Sequence, residues 1–252
     1  MPLSTINKTV ALFVVGYLAL AVVSVVWWQE VLSLWSAHQE FFGSAGSVGL
    51  GVLSIALAAL SGAVIDGLAD VTVRRFVKWA TKRRRMVLFF GQSELFQSVE
   101  QWKHYFQSQI DQSNDELFRS IGKDHPLFRL HLATGLLHAH APSHHIEWVF
   151  AHFATHYLAS NLAFLVLVST PMLTFRAVSG TDNPIAWIIP ATMAMLLAAY
   201  GLLSLSVARC LYTYQAEFRF AAIWLSEIQS GKNLYGAKQQ IAPVLTDPIA
   251  SG

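Results

Sequence analysis

Apolar residues in this chain gather into four long windows, approximately Thr9 to Trp28, Ser47 to Ile65, Tyr157 to Phe175 and Ile185 to Ala208. As a helix each can cross a hydrocarbon core of about 30 Å, which takes roughly 17 to 25 residues. Between the second and third windows the pattern changes to a stripe. Leu95, Val99, Trp102, Phe106, Ile110 and Leu117 predict an amphipathic helix over Ser93–Arg119. The windows themselves are expected to run on as helix. Span two meets no proline before Arg85 and only Gly67 as a weak breaker, so it should reach the stop at Phe89-Phe90-Gly91. Span four reads on through Tyr212, Tyr214, Phe218 and Trp224 to Gly231, and span three has a start signal in Pro142 and Ser143, with Ser143 as N-cap. No strand alternation is visible.

The expectation is therefore an all-α membrane protein with four transmembrane helices, three of them prolonged into a helical bundle. Residues 1–73 form the first transmembrane pair with a short outer helix, 74–156 a helical domain, 157–208 the second pair, and 209–252 a helix extension and flexible tail. Composition agrees, since 54% hydrophobic and 13% charged residues with a positive mean hydropathy place the chain outside the ordinary soluble class. Cys210 stands alone, which excludes a disulfide framework and a multi-cysteine zinc site.

Charge sets the orientation, because lysine and arginine favour the cytoplasmic side. Arg74, Arg75, Lys78, Lys82, Arg83, Arg84, Arg85, Lys103, Arg119, Lys123 and Arg129 lie between spans two and three, whereas only Arg176 falls on the opposite side. Both termini and the middle segment are thus expected in the cytoplasm of a cell bounded by an inner membrane. The cationic run at 82–85 reads as an anchor to anionic lipid, in preference to a nucleic-acid site. Trp27, Trp28, Trp35 and Trp187 fall at the outer boundary, where Val31, Leu32, Trp35 and Phe42 predict a short interfacial helix. The second outer turn, Ala177 to Asn183, is short, and Pro171 and Pro190 nearby predict irregular helix ends.

Two constellations carry candidate chemistry. On span two, Ser47, Gly51, Ser54, Ala58 and Gly62 form a small-residue face that leads to Asp66 and Asp70. Small faces let helix backbones approach closely in lipid, and acidic residues at a span's end seek a partner, a cavity or headgroup water. This face is read as a subunit interface or pore lining, or as packing within one chain. The second constellation is histidine: nine of ten lie between spans two and three, six of them being His138, His140, His144, His145, His152 and His156. On a continuous helix 145, 152 and 156 share a face, which fits metal binding, proton relay, pH sensing or a ring-lined cap at the water boundary.

His140-Ala-Pro-Ser-His144-His145 and His152-Phe-Ala-Thr-His156 resemble the histidine boxes of membrane fatty-acid desaturases and hydroxylases. That resemblance implies a di-iron oxygenase ligated by these six histidines, with Glu147 as a carboxylate ligand, although no histidine follows His156 to supply a further box. Arg119 and His125 form an R-x5-H pair similar to the motif of small helical ribonuclease toxins. The layout of two spans, a helical insert and two more spans resembles that of the flagellar stator family, in arrangement alone. No nucleotide-binding glycine loop, nucleophile elbow or zincin motif is present. The expected function is a homo-oligomeric inner-membrane sensor, effector or scaffold whose bundle binds a protein partner or signal and transmits it, with pore gating as one output and stress or antiviral defence as one setting. The alternatives are the di-iron enzyme, with iron as its cofactor, and an ion- or proton-translocating subunit.

Overall fold

A computed structural model describes residues 3–38, 43, 46–112, 126–179 and 184–230. Its elements are α1 (Leu3–Val26), α2 (Trp28–Ala37), α3 (Gly46–Ala69), a π-helical turn (Asp70–Arg74), α4 (Arg75–Ala80), α5 (Arg84–Phe89), α6 (Ser93–Asp111), α7 (Pro126–His140), α8 (Ser143–Ser179) and α9 (Pro184–Gln229). No strand occurs among the described residues. Four helices are long and apolar enough to cross a membrane, within Thr9–Val26, Gly49–Ala80, Ser143–Arg176 and Ile188–Gln229. The 46 residues of α9 extend about 69 Å. That is twice a hydrocarbon core, so we take Ile185–Ala208 as its spanning part, before the charges that begin at Arg209.

The chain divides into two compact units. The first comprises residues 1–92 and 150–210. Within it α1 packs along α3, and the approach is close because of two glycines. A Cβ on Gly16 would stand 1.8 Å from the carbonyl oxygen of Ala58, and one on Gly62 would stand 2.1 Å from that of Leu12. Both neighbours are backbone and cannot swing aside. Gly62→Leu is therefore expected to separate α1 from α3 and lower the thermal midpoint of the purified protein; an unchanged midpoint would show that the close approach contributes nothing. The opposite face of α3 is apolar and exposed, with Val52, Ile55, Leu60 and Val64 each more than half accessible. A face of that kind suits lipid and not water.

The second unit comprises residues 93–149 and 211–252. Its core is built where α6 and the end of α9 bring together Phe106 and Phe218, ring centroids 5.9 Å apart, with Ile110, Leu211 and Leu225 buried. Polar bonds fix the register of these two helices: Gln215 donates to the Ser98 hydroxyl at 2.7 Å, and Gln229 to the Gln109 carbonyl at 2.9 Å. Helix α7 adds Ala133, Leu136 and Leu137, all buried.

Several expectations are corrected here. The extension of span two runs on through the π-helical turn to Ala80 and breaks before the expected stop, at Thr81–Arg83, where the Thr81 hydroxyl bonds back to Lys78 and Arg83 turns extended. Four consecutive cations from Lys82 repel one another along a helix, which favours a break there. The stop at Gly91 holds, with φ +71°. Residues 126–140, over which the apolar pattern predicts no separate element, form α7, whose first residue is Pro126, a favoured opening position. Helix α8 starts one residue earlier than expected, so Pro142 is the cap and its carbonyl accepts the amides of His145 and Ile146. The outer helix is present as α2 with no buried residue. Pro171 and Pro190 both lie inside continuous helices. Leu117, Arg119 and His125, the tail after Ser230, Phe42 and the side chain of Trp187 lie outside the described residues.

Candidate functional sites: a buried charge cluster and a ring-lined cavity

In the first unit the charged end of α3 folds onto itself and onto α8. Arg74 is 1% exposed, and its Nη2 donates to the Asp66 carboxylate at 2.9 Å and to the Asp66 carbonyl. Its Nε lies 3.3 Å from the Asp70 carboxylate, and its guanidinium sits 4.3 Å over the Tyr157 ring. Asn161 of α8, also 1% exposed, donates to the same Asp66 oxygen at 3.0 Å. Asp66 thus receives an arginine eight residues on and an amide from a different helix. Asp70 and Arg74 are the first and last residues of the π-helical turn, and such turns recur at functional sites. Arg74 Nη1 and Asn161 Oδ1 are buried with no hydrogen-bond partner among the described residues. A donor and an acceptor therefore remain available beside the ion pair.

A second polar row joins α8 to α9. His156 Nδ1 stands 2.7 Å from the Ser206 hydroxyl and 3.1 Å from its carbonyl, and the Ser160 hydroxyl lies 2.8 Å from that of Ser206 while donating to the His156 carbonyl. Arg209 Nη1 bonds to His152 Nδ1 at 2.9 Å. The Nδ1 atoms of both histidines and the two serine hydroxyls thus meet hydroxyls, carbonyls or an arginine, as buried polar groups generally do.

The small-residue face has a partner in the same chain. Ala58 is fully buried, and with Gly62 it lies against α1. Gly51 has open space where a side chain would stand, the Ser54 hydroxyl bonds back to Gly51, and the side chain of Ser47 lies outside the described residues. At Ala58 and Gly62 the packing alternative is the one seen, while Asp66 and Asp70 meet Arg74.

No group of three or more His, Cys, Asp or Glu suited to a metal occurs among the described residues. Each ring has its own surroundings: His140 stacks on Trp224 at 4.2 Å, His145 lies 5.5 Å from Phe220 and 6.0 Å from Trp148, and His138, His144 and Glu147 are exposed. Pro142 divides the run of the expected di-iron ligands between α7 and α8, and His140, His145 and His156 have aromatic or hydroxyl neighbours. Burial pushes His140 below its ordinary pKa.

The second unit holds what the sequence did not reveal. A cavity of about 590 Å³ opens between the first turns of α8 and the end of α9, walled by Trp148, Phe220 and Trp224, with His145, Arg219 and Glu227 at its polar positions. In the same unit Glu217 is buried at 2% exposure, nine residues beyond the spanning part of α9, and the Thr134 hydroxyl bonds to its carboxyl. Burial outweighs that bond and pushes the carboxyl up to about 7. The residues of the cavity are separated by some seventy positions, and nothing in either stretch alone announces it. Compared with family models, with curated proteins and with solved structures, the chain matches none.

Proposed function

We propose that this protein is a membrane-embedded sensor or effector, assembled as a homo-oligomer in the inner membrane, whose second unit takes up a signal and whose first unit responds. The distribution of cations supports a cytoplasmic side for both termini in this reading. The observation that carries the reading is the cavity, because its walls belong to α8 and α9, the two helices that also supply spans three and four. A ligand held there touches the same helices that cross the bilayer. The test is ion leak from proteoliposomes containing the full chain, compared with the exposed cavity-wall variants Arg219→Ala and Trp148→Ala, together with cross-linking in native membranes. Altered leak and cross-linked species above the monomer are expected. Identical leak in all three proteins would sink the coupling, and monomer alone would sink the assembly.

A second reading, translocation of an ion or proton, draws on the Asp66–Arg74–Asn161 cluster, since ionisable groups within candidate spans mark transport paths more often than they serve packing. Under this reading Asp66→Asn abolishes flux in proteoliposomes while the protein stays folded. Flux equal to wild type would remove Asp66 from any such path.

A further inference from the structure

We infer that the cavity of the second unit binds a flat heteroaromatic anion of the class of a nucleoside monophosphate. The volume of about 590 Å³ lies within the range of small-molecule sites. Its walls supply flat apolar faces, and Trp148 is 48% exposed where it borders the cavity. Exposed indole in a concave site is the surface on which a ring stacks. The Arg219 guanidinium, held 5.6 Å from the Trp102 ring, is the fixed positive charge of the wall and offers a fork of donors to a phosphate or carboxylate. His145 adds a ring nitrogen, Nε2, that is buried with no hydrogen-bond partner among the described residues. Glu227 supplies an acceptor edge of the kind that reads ring N–H groups and exocyclic amines. No ion pair links Arg219 to Glu227 among the described residues, so the positive and negative groups are both available, one for the anionic tail and one for the donor edge of the ring.

The inference rests on the sensor reading and gives it a ligand class. AMP, GMP, CMP and UMP, with adenosine as the uncharged counterpart of AMP, are to be titrated into the full chain in nanodiscs and followed by saturation-transfer NMR. At least one nucleotide is expected to bind, roughly tenfold or more tighter than its nucleoside. Arg219→Ala should reduce the nucleotide to the level of the nucleoside, whereas Trp148→Ala should weaken both. Both residues are accessible at the surface, and an unchanged circular dichroism spectrum verifies that each variant is folded. Absence of binding by all four nucleotides at millimolar concentration overturns the inference, and so does nucleotide binding that is insensitive to both substitutions. The leak experiment separates this from the broader reading. If Arg219→Ala alters leak while no nucleotide binds, the ligand class is wrong and the sensor stands; if neither responds, both fall.

Discussion

Asp66→Ala is expected to cost about 3 kcal/mol of stability, near the lower end of the range for breaking a buried ion pair by removing one partner. The loss comes from what remains. Arg74 is 2% exposed at its side chain and keeps its charge, while its nearest carboxylate and the hydrogen bond from Asn161 disappear together. Asp70, at 3.3 Å and 56% exposed, compensates only in part because water screens it. Replacing both partners with apolar residues of similar volume, Asp66→Leu with Arg74→Met, should recover most of the loss, since no uncompensated charge is then buried. Thermal unfolding in detergent, followed by circular dichroism, measures all three proteins. Equal midpoints for wild type and Asp66→Ala would mean that Arg74 finds another partner and that the cluster does not hold α3 to α8. The double variant also separates structure from transport: a folded protein without flux assigns the charges to the translocation reading.

Glu217→Gln is expected to change the pH dependence of stability more than any other single substitution. The carboxyl is raised from 4.5 to about 7 by burial, so the folded state holds its proton more tightly than the unfolded chain does. Its favourable contribution is fully present below about 4.5, declines as pH rises, and is lost once pH passes the folded value near 7. The corresponding free energy is about 3 kcal/mol as an upper bound. Glutamine keeps a polar group for Thr134 and carries no charge, so the variant should match wild type near pH 4 and exceed it at pH 8. Parallel stability profiles for the two proteins between those values would show that Glu217 does not titrate across the folding transition.

The spans could be read from the sequence because hydropathy depends on composition over twenty residues and needs no tertiary knowledge. The stripe from Leu95 to Ile110 was legible for a similar reason, as α6 buries Val99, Phe106 and Ile110 on one face. Helix α7 was missed although Leu130, Ala133 and Leu137 stand at helical spacing, because Pro126 reads equally as a loop residue and as a first helical residue. The π-helical turn has no signature in Asp70–Arg74 that an ordinary helix would lack. Small residues from Gly51 to Gly62 announce that something approaches closely, yet they do not say what; α1 of the same chain lies against Ala58 and Gly62. The candidate sites were least legible. Asp66 was singled out by its position, but its partner Asn161 lies 95 residues away and Arg74 eight residues on, beyond the spacing of ordinary helix neighbours. The histidine spacing invited a metal centre, whereas convergence in space depends on helix packing that spacing along one chain does not contain.

The central claim is that occupancy of the cavity reaches the spans through α8 and α9. Hydrogen–deuterium exchange of the full chain in nanodiscs, with and without saturating AMP, tests it most directly. The account predicts altered protection both at the cavity wall, residues 142–148 and 215–227, and in the segments carrying Asp66, Arg74 and Asn161. A change confined to the cavity wall would contradict it.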